Sequence, residues 1–321
     1  MSTTSSADAL SYYGRPIIKE PVWQAEIPLY LFVGGLAGAS DLLALGARLT
    51  GNERLRVSAL FTGAAGVAVS PILLIKDLGR PLRFLNMLRV FKVTSPMSVG
   101  TWILSAEGAT TSIGAACQLF GVMPRVRRTT QVLAGLLGPA QATYTGALVA
   151  QSAVPAWHEA RRELPLFFAA SAATSAGGAA AITTPPEAAG PARRLALLGG
   201  VAELMTAKLM ERRLGGLVGS VYHEGPCGKY SRAAKAATLA GTALMALAGR
   251  RRIGAAAAGS LLLAGSLCER FAVVHAGKQS AANPHHTSIP QKRRAAERGQ
   301  RAVTQPSRRP GSGVSPPAST R

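Results

Sequence analysis

The chain has 321 residues, of which 48% are hydrophobic, and it carries a formal net charge of +21. Its apolar residues fall in blocks of about 20, the length of a helix that crosses a bilayer. The basic residues cluster beside these blocks or in the C-terminal tail, a distribution typical of membrane proteins and not of nucleic-acid-binding proteins. We therefore predict an all-α integral membrane protein with membrane lipid, and no nucleic acid, as a partner. A soluble helical protein is the alternative, but the blocks lack the polar faces it needs.

The apolar blocks predict about eight transmembrane helices, arranged in two four-helix halves. The approximate spans are 26–47, 57–76, 99–121, 131–152, 164–183, 193–210, 234–248 and 253–275. Their many Ala and Gly residues allow close helix packing within a bilayer. The predicted organisation is an N-terminal interfacial arm (1–25), a first half (26–152), a second half (153–275) and a basic tail (276–321) that is disordered from about residue 291.

An even number of spans places both termini on one side of the membrane. Lys and Arg are more numerous on that side, which favours cytoplasmic termini. The first 25 residues contain no apolar signal-peptide core, so the first span is expected to act as an uncleaved insertion signal. These features predict a multi-pass protein of the inner (cytoplasmic) membrane.

Polar residues inside the predicted spans are the functional candidates, because burying them in a bilayer is unfavourable. Glu26 and Tyr30 lie one helical turn apart at the start of the first span. Glu107 lies well inside the third span, and Tyr144 lies at a similar depth in the fourth. These four residues and Asp77 all approach from the side of the termini. A pocket of carboxylates and phenols suits a quinone, whose carbonyl groups need hydrogen-bond donors and, on reduction, protons.

Each candidate also has a structural interpretation. Glu26 is favoured at a helix N-terminus by the helix dipole, and Tyr30 fits an aromatic belt at the membrane surface. Glu107 can instead pair with a neighbouring helix, as Asp41 and Glu203 are expected to do. The three tryptophans, Trp23, Trp102 and Trp157, are interpreted as interface anchors.

The histidines and cysteines argue against a resident haem or metal. None of the histidines lies in the middle of a span, so no pair is placed for a bis-histidine haem. The three cysteines share no CxxC spacing and cannot by themselves ligate a cluster or a zinc ion. We expect no haem and no metal, so the electrons would pass through an organic cofactor or a partner. The histidines are His158, His223, His275, His285 and His286.

Three segments resemble a known family: "YYGRPIIKEPVWQAEIPLYLFVGGLAGAS", "KDLGRPLRFLNMLRVFKVTSPMSVGTW" and "ATYTGALVA". From about Tyr12 to about Gln291 the chain is similar to the NrfD/polysulfide-reductase membrane-subunit family. The resemblance implies a haem-free, eight-span, quinone-reactive subunit that is not catalytic alone. It also implies docking of a ferredoxin-like iron–sulfur subunit, connected to a molybdopterin oxidoreductase of the formate-dehydrogenase or polysulfide-reductase kind.

The resemblance also implies which residues form the quinone site. The family positions correspond to Glu26, Tyr30 and Tyr144, and the ligand would be menaquinone or ubiquinone. Family members can carry Asn and His where Glu26 and Tyr30 stand, which leaves the quinone type and the proton donor open. Glu26 and Glu107 are the predicted proton-transferring residues.

The charged loop at residues 76–96 is the predicted partner-binding surface. Asp77 and Arg80 are expected to pair and brace the turn, while Pro81 ends the second span. The other basic residues would face an acidic surface of the iron–sulfur subunit. A positive-inside loop without a partner is the alternative. These basic residues are Arg83, Arg89 and Lys92.

Two other functions compete with a quinone-reactive subunit. Buried carboxylates also serve proton-conducting proteins and secondary transporters, which often contain internal repeats. The two halves of this chain share no repeated motif, which favours the oxidoreductase subunit. A membrane anchor without quinone chemistry is the remaining alternative.

Overall fold

The computed structural model describes residues 17–80 and 82–288, and all regular secondary structure within them is helical. A 3-10 helix, Ser220–Tyr222, follows the eighth α-helix. The prediction of an all-α fold is therefore confirmed. The α-helices are α1 (Glu26–Leu49), α2 (Glu53–Leu78), α3 (Leu82–Met87), α4 (Pro96–Leu119), α5 (Pro124–Ala150), α6 (Pro155–Glu159), α7 (Leu164–Thr183), α8 (Gly190–Gly219), α9 (Gly225–Ala248) and α10 (Arg252–Ala282).

Five helices of the described chain, α1, α2, α5, α7 and α10, are long and apolar enough to cross a membrane. Helices α4, α8 and α9 occupy the other three predicted span positions. They are of similar length but do not contain an 18-residue stretch that is both apolar enough and poor enough in charge. Eight membrane crossings therefore stay a prediction. The predicted disorder from about residue 291 falls on residues outside the described ranges.

The long helices form two groups with the same order of neighbours. In the first half, α1 and α4 each pack against α2 and α5. In the second half, α7 and α9 each pack against α8 and α10. Helix α7 packs against α1 and α5, and α10 packs against α1, so these contacts join the halves. Each half is thus a four-helix bundle that can enclose its own polar interior.

Glycine pairs mark a close helix crossing in each half. A Cβ atom on Gly38 of α1 would lie 2.5 Å from the carbonyl oxygen of Gly138 on α5. In the second half, a Cβ atom on Gly259 of α10 would lie 2.5 Å from the carbonyl oxygen of Gly178 on α7. Real Cβ atoms essentially never approach other atoms this closely. The backbones can touch only because these residues lack side chains.

Two helix boundaries differ from the sequence-based expectation. Helix α2 ends before Gly79, whose φ of +71° is the left-handed conformation typical of a helix C-cap. Helix α2 is therefore ended by Gly79 and not, as predicted, by Pro81. Helix α10 continues to Ala282, past the predicted boundary at residue 275, because Ser280 and Ala281 are buried against the rest of the fold.

Candidate functional site

A cavity opens at the end of the first half where α1 and α4 begin and α2 and α5 end. Its volume is about 110 Å³, close to the roughly 150 Å³ of an engineered cavity that accepts a benzene ring. Most of its walls are apolar, with Leu104 and Val149 among them. We call it the tyrosine cavity. Its polar lining residues are Tyr30, Asp77, Thr101 and Tyr144.

The two predicted tyrosines meet inside this cavity. The hydroxyl groups of Tyr30 on α1 and Tyr144 on α5 are hydrogen-bonded to each other. Gly100 of α4 makes room for the ring of Tyr144, because a Cβ atom there would lie 2.3 Å from its Cε2 atom. The structure thus brings together two residues that are 114 positions apart in the sequence.

Glu107 lies behind the tyrosines, fully buried on α4. No described donor reaches its carboxylate oxygens, and a hydrogen bond to the neighbouring Asp41 requires a proton on one of the two carboxyl groups. Its neighbours include both tyrosines and Asp41 of α1, and Asp41 accepts a hydrogen bond from Thr111. A buried polar atom without a partner is unfavourable, so this carboxyl group is suited to hold a proton. Asp41 belongs to the same polar group.

The structure separates the two carboxylates expected at the entrance of the pocket. Glu26 forms an ion pair with Lys76, with 2.8 Å between Oε1 and Nζ, and its side chain does not line the tyrosine cavity. Asp77 does line the cavity. Among the described residues no ion pair joins Asp77 to Arg80, so the predicted brace of the turn is wrong. Asp77 is therefore a residue of the cavity wall.

The loop between α2 and α4 presents basic and apolar side chains together. Arg83 donates a hydrogen bond to the carbonyl oxygen of Leu78, at 3.1 Å, and so caps the end of α2. Arg80, Arg89 and Lys92 are exposed. A surface with both properties suits anionic lipid or a protein partner. The exposed apolar residues are Leu82, Leu85, Val90, Phe91 and Val93.

Two of the tryptophans connect the halves instead of marking the membrane surface. Trp23 lines the tyrosine cavity and stacks on Trp157, with 5.1 Å between ring centroids. The indole nitrogen of Trp157 donates a hydrogen bond to the carbonyl oxygen of Val273 on α10, at 2.7 Å. Trp157 is 1% exposed, so its prediction as an interface anchor is wrong. We call this pair of stacked rings the tryptophan bridge.

A second buried cluster was missed by the sequence reasoning. Glu203 of α8 was interpreted as a structural partner, and Glu269 and Arg270 of α10 were not considered. All three are almost fully buried in the second half. The signal was present as adjacent charges, "CERF", inside an otherwise apolar span. Trp23 was likewise not predicted to line the cavity.

The fold and the site define a helical membrane protein with a phenol-lined, largely apolar cavity at one end of a four-helix bundle. Residues 17–210 match the model of the family described as polysulphide reductase, NrfD. The chain belongs to this family, and the resemblance predicted from the sequence is confirmed over these residues. No curated protein matches the chain.

Family membership gives the coarse function and location of the chain. It is a multi-pass membrane protein and a membrane subunit of a respiratory oxidoreductase complex. Members of the family typically partner with iron–sulfur and molybdoenzyme subunits.

Proposed function

We propose that this chain is the haem-free subunit that exchanges electrons between the membrane quinone pool and an iron–sulfur partner. That partner would be linked to a molybdopterin enzyme of the formate-dehydrogenase or polysulfide-reductase type. One observation carries the proposal: the hydrogen-bonded hydroxyl groups of Tyr30 and Tyr144 lie inside an apolar cavity.

The lining of the tyrosine cavity fits a quinone head group. A bound quinone supplies reversible two-electron chemistry, for which the protein provides binding and protons. The hydroxyl groups of Tyr30 and Tyr144 can each donate a hydrogen bond to a carbonyl oxygen. The side chains of Leu104 and Val149 contact a ring from the sides and exclude water. Menaquinone and ubiquinone both present such a ring with two carbonyl groups.

Three carboxyl groups are placed to handle protons at different depths. Glu107 holds a proton behind the tyrosines, where its carboxyl neighbour is Asp41 and no described donor reaches its oxygens. Asp77 lies in the cavity wall. Glu26 lies one helical turn from Tyr30, toward the start of α1, and its contact with Lys76 places it at the rim. A group at the rim can exchange protons with water while the buried group stays protected.

The basic loop supports docking of the iron–sulfur partner beside the cavity. The loop follows α2 directly, and the last turn of α2 contributes Asp77 and Leu78 to the cavity lining. A partner that is bound there would lie next to the tyrosine cavity. Exposed Arg80, Arg89 and Lys92 would attract an acidic partner surface.

The test is quinol-dependent electron transfer in membranes that carry Tyr30→Phe or Tyr144→Phe in the assembled complex. Each variant loses one hydrogen bond to the head group, worth about 0.5–1.5 kcal/mol. The rate at limiting quinol should therefore fall by up to about tenfold. Tyr230→Phe is the matched control, because Tyr230 stacks on Phe271 in the second half and lies outside the cavity.

Three results would contradict the proposal. Assembled Tyr30→Phe and Tyr144→Phe complexes with wild-type rates at limiting quinol would place the quinone site elsewhere. A b-type haem band in the reduced spectrum of the purified subunit would contradict its haem-free character. Substrate uptake by liposomes that contain the chain without a redox partner would support the transporter alternative.

A further inference from the structure

The second half buries two carboxylates beside one guanidinium group. The carboxyl groups of Glu203 on α8 and Glu269 on α10 lie side by side, and each residue is 3% exposed. Arg270 donates from Nη1 to Oε1 of Glu269 at 3.1 Å, and from Nη2 to the carbonyl oxygen of Phe168 at 3.0 Å. We call Glu203 and Glu269 the acid pair.

The charges of this cluster do not balance if both acids are ionised. Arg270 neutralises one carboxylate, and a second buried negative charge would cost several kcal/mol. The other groups that face the acid pair are uncharged hydroxyls. A single proton shared by the acid pair makes the cluster neutral. These hydroxyls belong to Ser171 and Thr174 on α7 and Thr238 on α9.

A small cavity connects the acid pair to the end of the bundle where α8 ends and α9 begins. Its volume is about 30 Å³, and one water molecule needs roughly 10–15 Å³ on this scale, so one or two waters fit. Both acids line the cavity, as do Glu211 and Lys235. Glu211 and Lys235 form an ion pair with side chains 19% and 37% exposed, which places them at the outer end.

Several buried polar atoms of the cavity lining lack protein partners. Apart from a proton shared within the acid pair, no described donor or acceptor bonds to Oε2 of Glu203, Oε2 of Glu269, Oγ1 of Thr238 or the hydroxyl of Tyr222. All four residues line the cavity. Bound water would satisfy them and form a hydrogen-bonded chain that can carry a proton.

We propose that Glu203 and Glu269 form a proton-exchange site that opens through this cavity to the membrane surface at Glu211 and Lys235. Water at the outer end gives a proton to a carboxylate oxygen of the acid pair and takes it back by the same route. A metal cation is disfavoured there, because Arg270 and Lys235 place positive charges on both sides. The site is separate from the tyrosine cavity and does not depend on quinone chemistry.

The test is infrared spectroscopy of the purified full-length protein in lipid nanodiscs. A protonated buried carboxyl group gives a C=O stretching band that shifts when water is replaced by D2O. The acid pair and Glu107 should each contribute to such a band. We expect the acid-pair component to be lost in Glu203→Gln and in Glu269→Gln, because either change leaves one carboxylate neutralised by Arg270. This component should persist in Glu107→Gln, whose carboxyl group lies in the first half.

Access through the cavity is tested by two alanines of α9. Ala234 lines the cavity, whereas Ala236 is exposed on the same helix. Ala234→Val should slow the D2O shift roughly tenfold, equal to about 1.4 kcal/mol of added barrier. Ala236→Val should leave it unchanged. Both variants keep every titratable group of the site.

The proposal is overturned if Glu107→Gln protein shows no band of this kind, or if the acid-pair component persists in both Glu203→Gln and Glu269→Gln. It is also overturned if this component exchanges as fast in Ala234→Val as in Ala236→Val. If neither Glu203→Gln nor Glu269→Gln folds, the band of Glu107→Gln protein and the comparison of the two alanine positions still test the proposal.

Discussion

The two halves of this protein share a helix arrangement but differ in what surrounds their buried acids. The first half places Asp41 beside Glu107, and the second places Glu203 beside Glu269. The acids of the second half have Arg270 in contact, which fixes the charge of the cluster. The first pair instead adjoins two tyrosines and a cavity for a ligand. The neighbours of a buried acid, more than its burial, decide what it can do.

Removal of Arg270 should give the largest effect on stability. Arg270→Met would leave the acid pair without its positive partner, a change that costs about 3–5 kcal/mol in buried ion pairs. Thermal unfolding in mild detergent should show this loss. Arg232→Met, at an exposed position of α9, is the control and should change little. Equal melting temperatures of the two variants would show that Arg270 does not balance the acid pair.

The stability of the close helix crossing in each half should depend on its glycine pair. Gly38→Ala in the first half and Gly259→Ala in the second would each force two helix backbones apart, at a cost of about 1–3 kcal/mol for overpacking. Gly46→Ala is the control on α1, since a Cβ atom there meets nothing within 4 Å. The same unfolding measurement applies. A variant of either pair as stable as Gly46→Ala would contradict the close crossing in that half.

Gly100 should determine the position of the Tyr144 ring in the tyrosine cavity, although it contributes no polar side chain itself. In Gly100→Ala the new methyl group displaces the ring of Tyr144, and we expect a loss of about tenfold in quinol-dependent electron transfer, equal to one hydrogen bond. The second half should keep its infrared carboxyl band. Gly108→Ala on the same helix is the matched control, because its Cβ atom would lie 3.5 Å from Cγ1 of Val67, an ordinary contact. Equal rates would show that Tyr144 tolerates the displacement.

Low pH should slightly destabilise the second half through protonation of His286, which follows α10. Burial lowers the pKa of His286, and the nearby Glu224 offsets this only in part, while His285 adds to it. The neutral form is therefore favoured in the folded protein. Stability is complete above the unfolded pKa of about 6.5 and decreases as pH falls through the lowered folded value.

The measurement is the melting temperature of wild-type protein and of His286→Gln above and below the unfolded pKa. The wild type should lose stability in acid, and His286→Gln should lose less. His285→Gln removes only the smaller, charge-based cause at an exposed position and should stay much closer to the wild type than His286→Gln does. An identical acid response of all three proteins would exclude His286 as its source.

The sequence predicted the parts of the fold that depend on local pattern. Blocks of Ala, Gly and Leu predicted the positions of the long helices in the described chain, because hydrophobic length is a local property, while eight membrane crossings stay a prediction. Tyr30 and Tyr144 were predicted to share a pocket because helix direction places them at the same end. The end of α10 was missed, since residues up to Ala282 are held by tertiary contacts and not by their own hydropathy.

The rest of the site depended on contacts that no local pattern contains. Lys76 and Asp77 are adjacent, yet only the direction of each side chain shows that Lys76 pairs with Glu26 and Asp77 enters the cavity. Likewise, Glu269 and Arg270 read only as two adjacent charges inside an apolar span. Their importance appears only when α8 brings Glu203 beside them.

The tryptophan bridge has a thermodynamic consequence. Trp23 lines the tyrosine cavity, and Trp157 is hydrogen-bonded to Val273, which lines the cavity of the acid pair. The two cavities are therefore joined by one stacked contact. If a head group shifts Trp23 and thereby alters proton binding at the acid pair, the proton must alter the affinity for the head group by the same factor. The pH dependence of head-group binding in the first half would then measure the protonation of the acid pair in the second half.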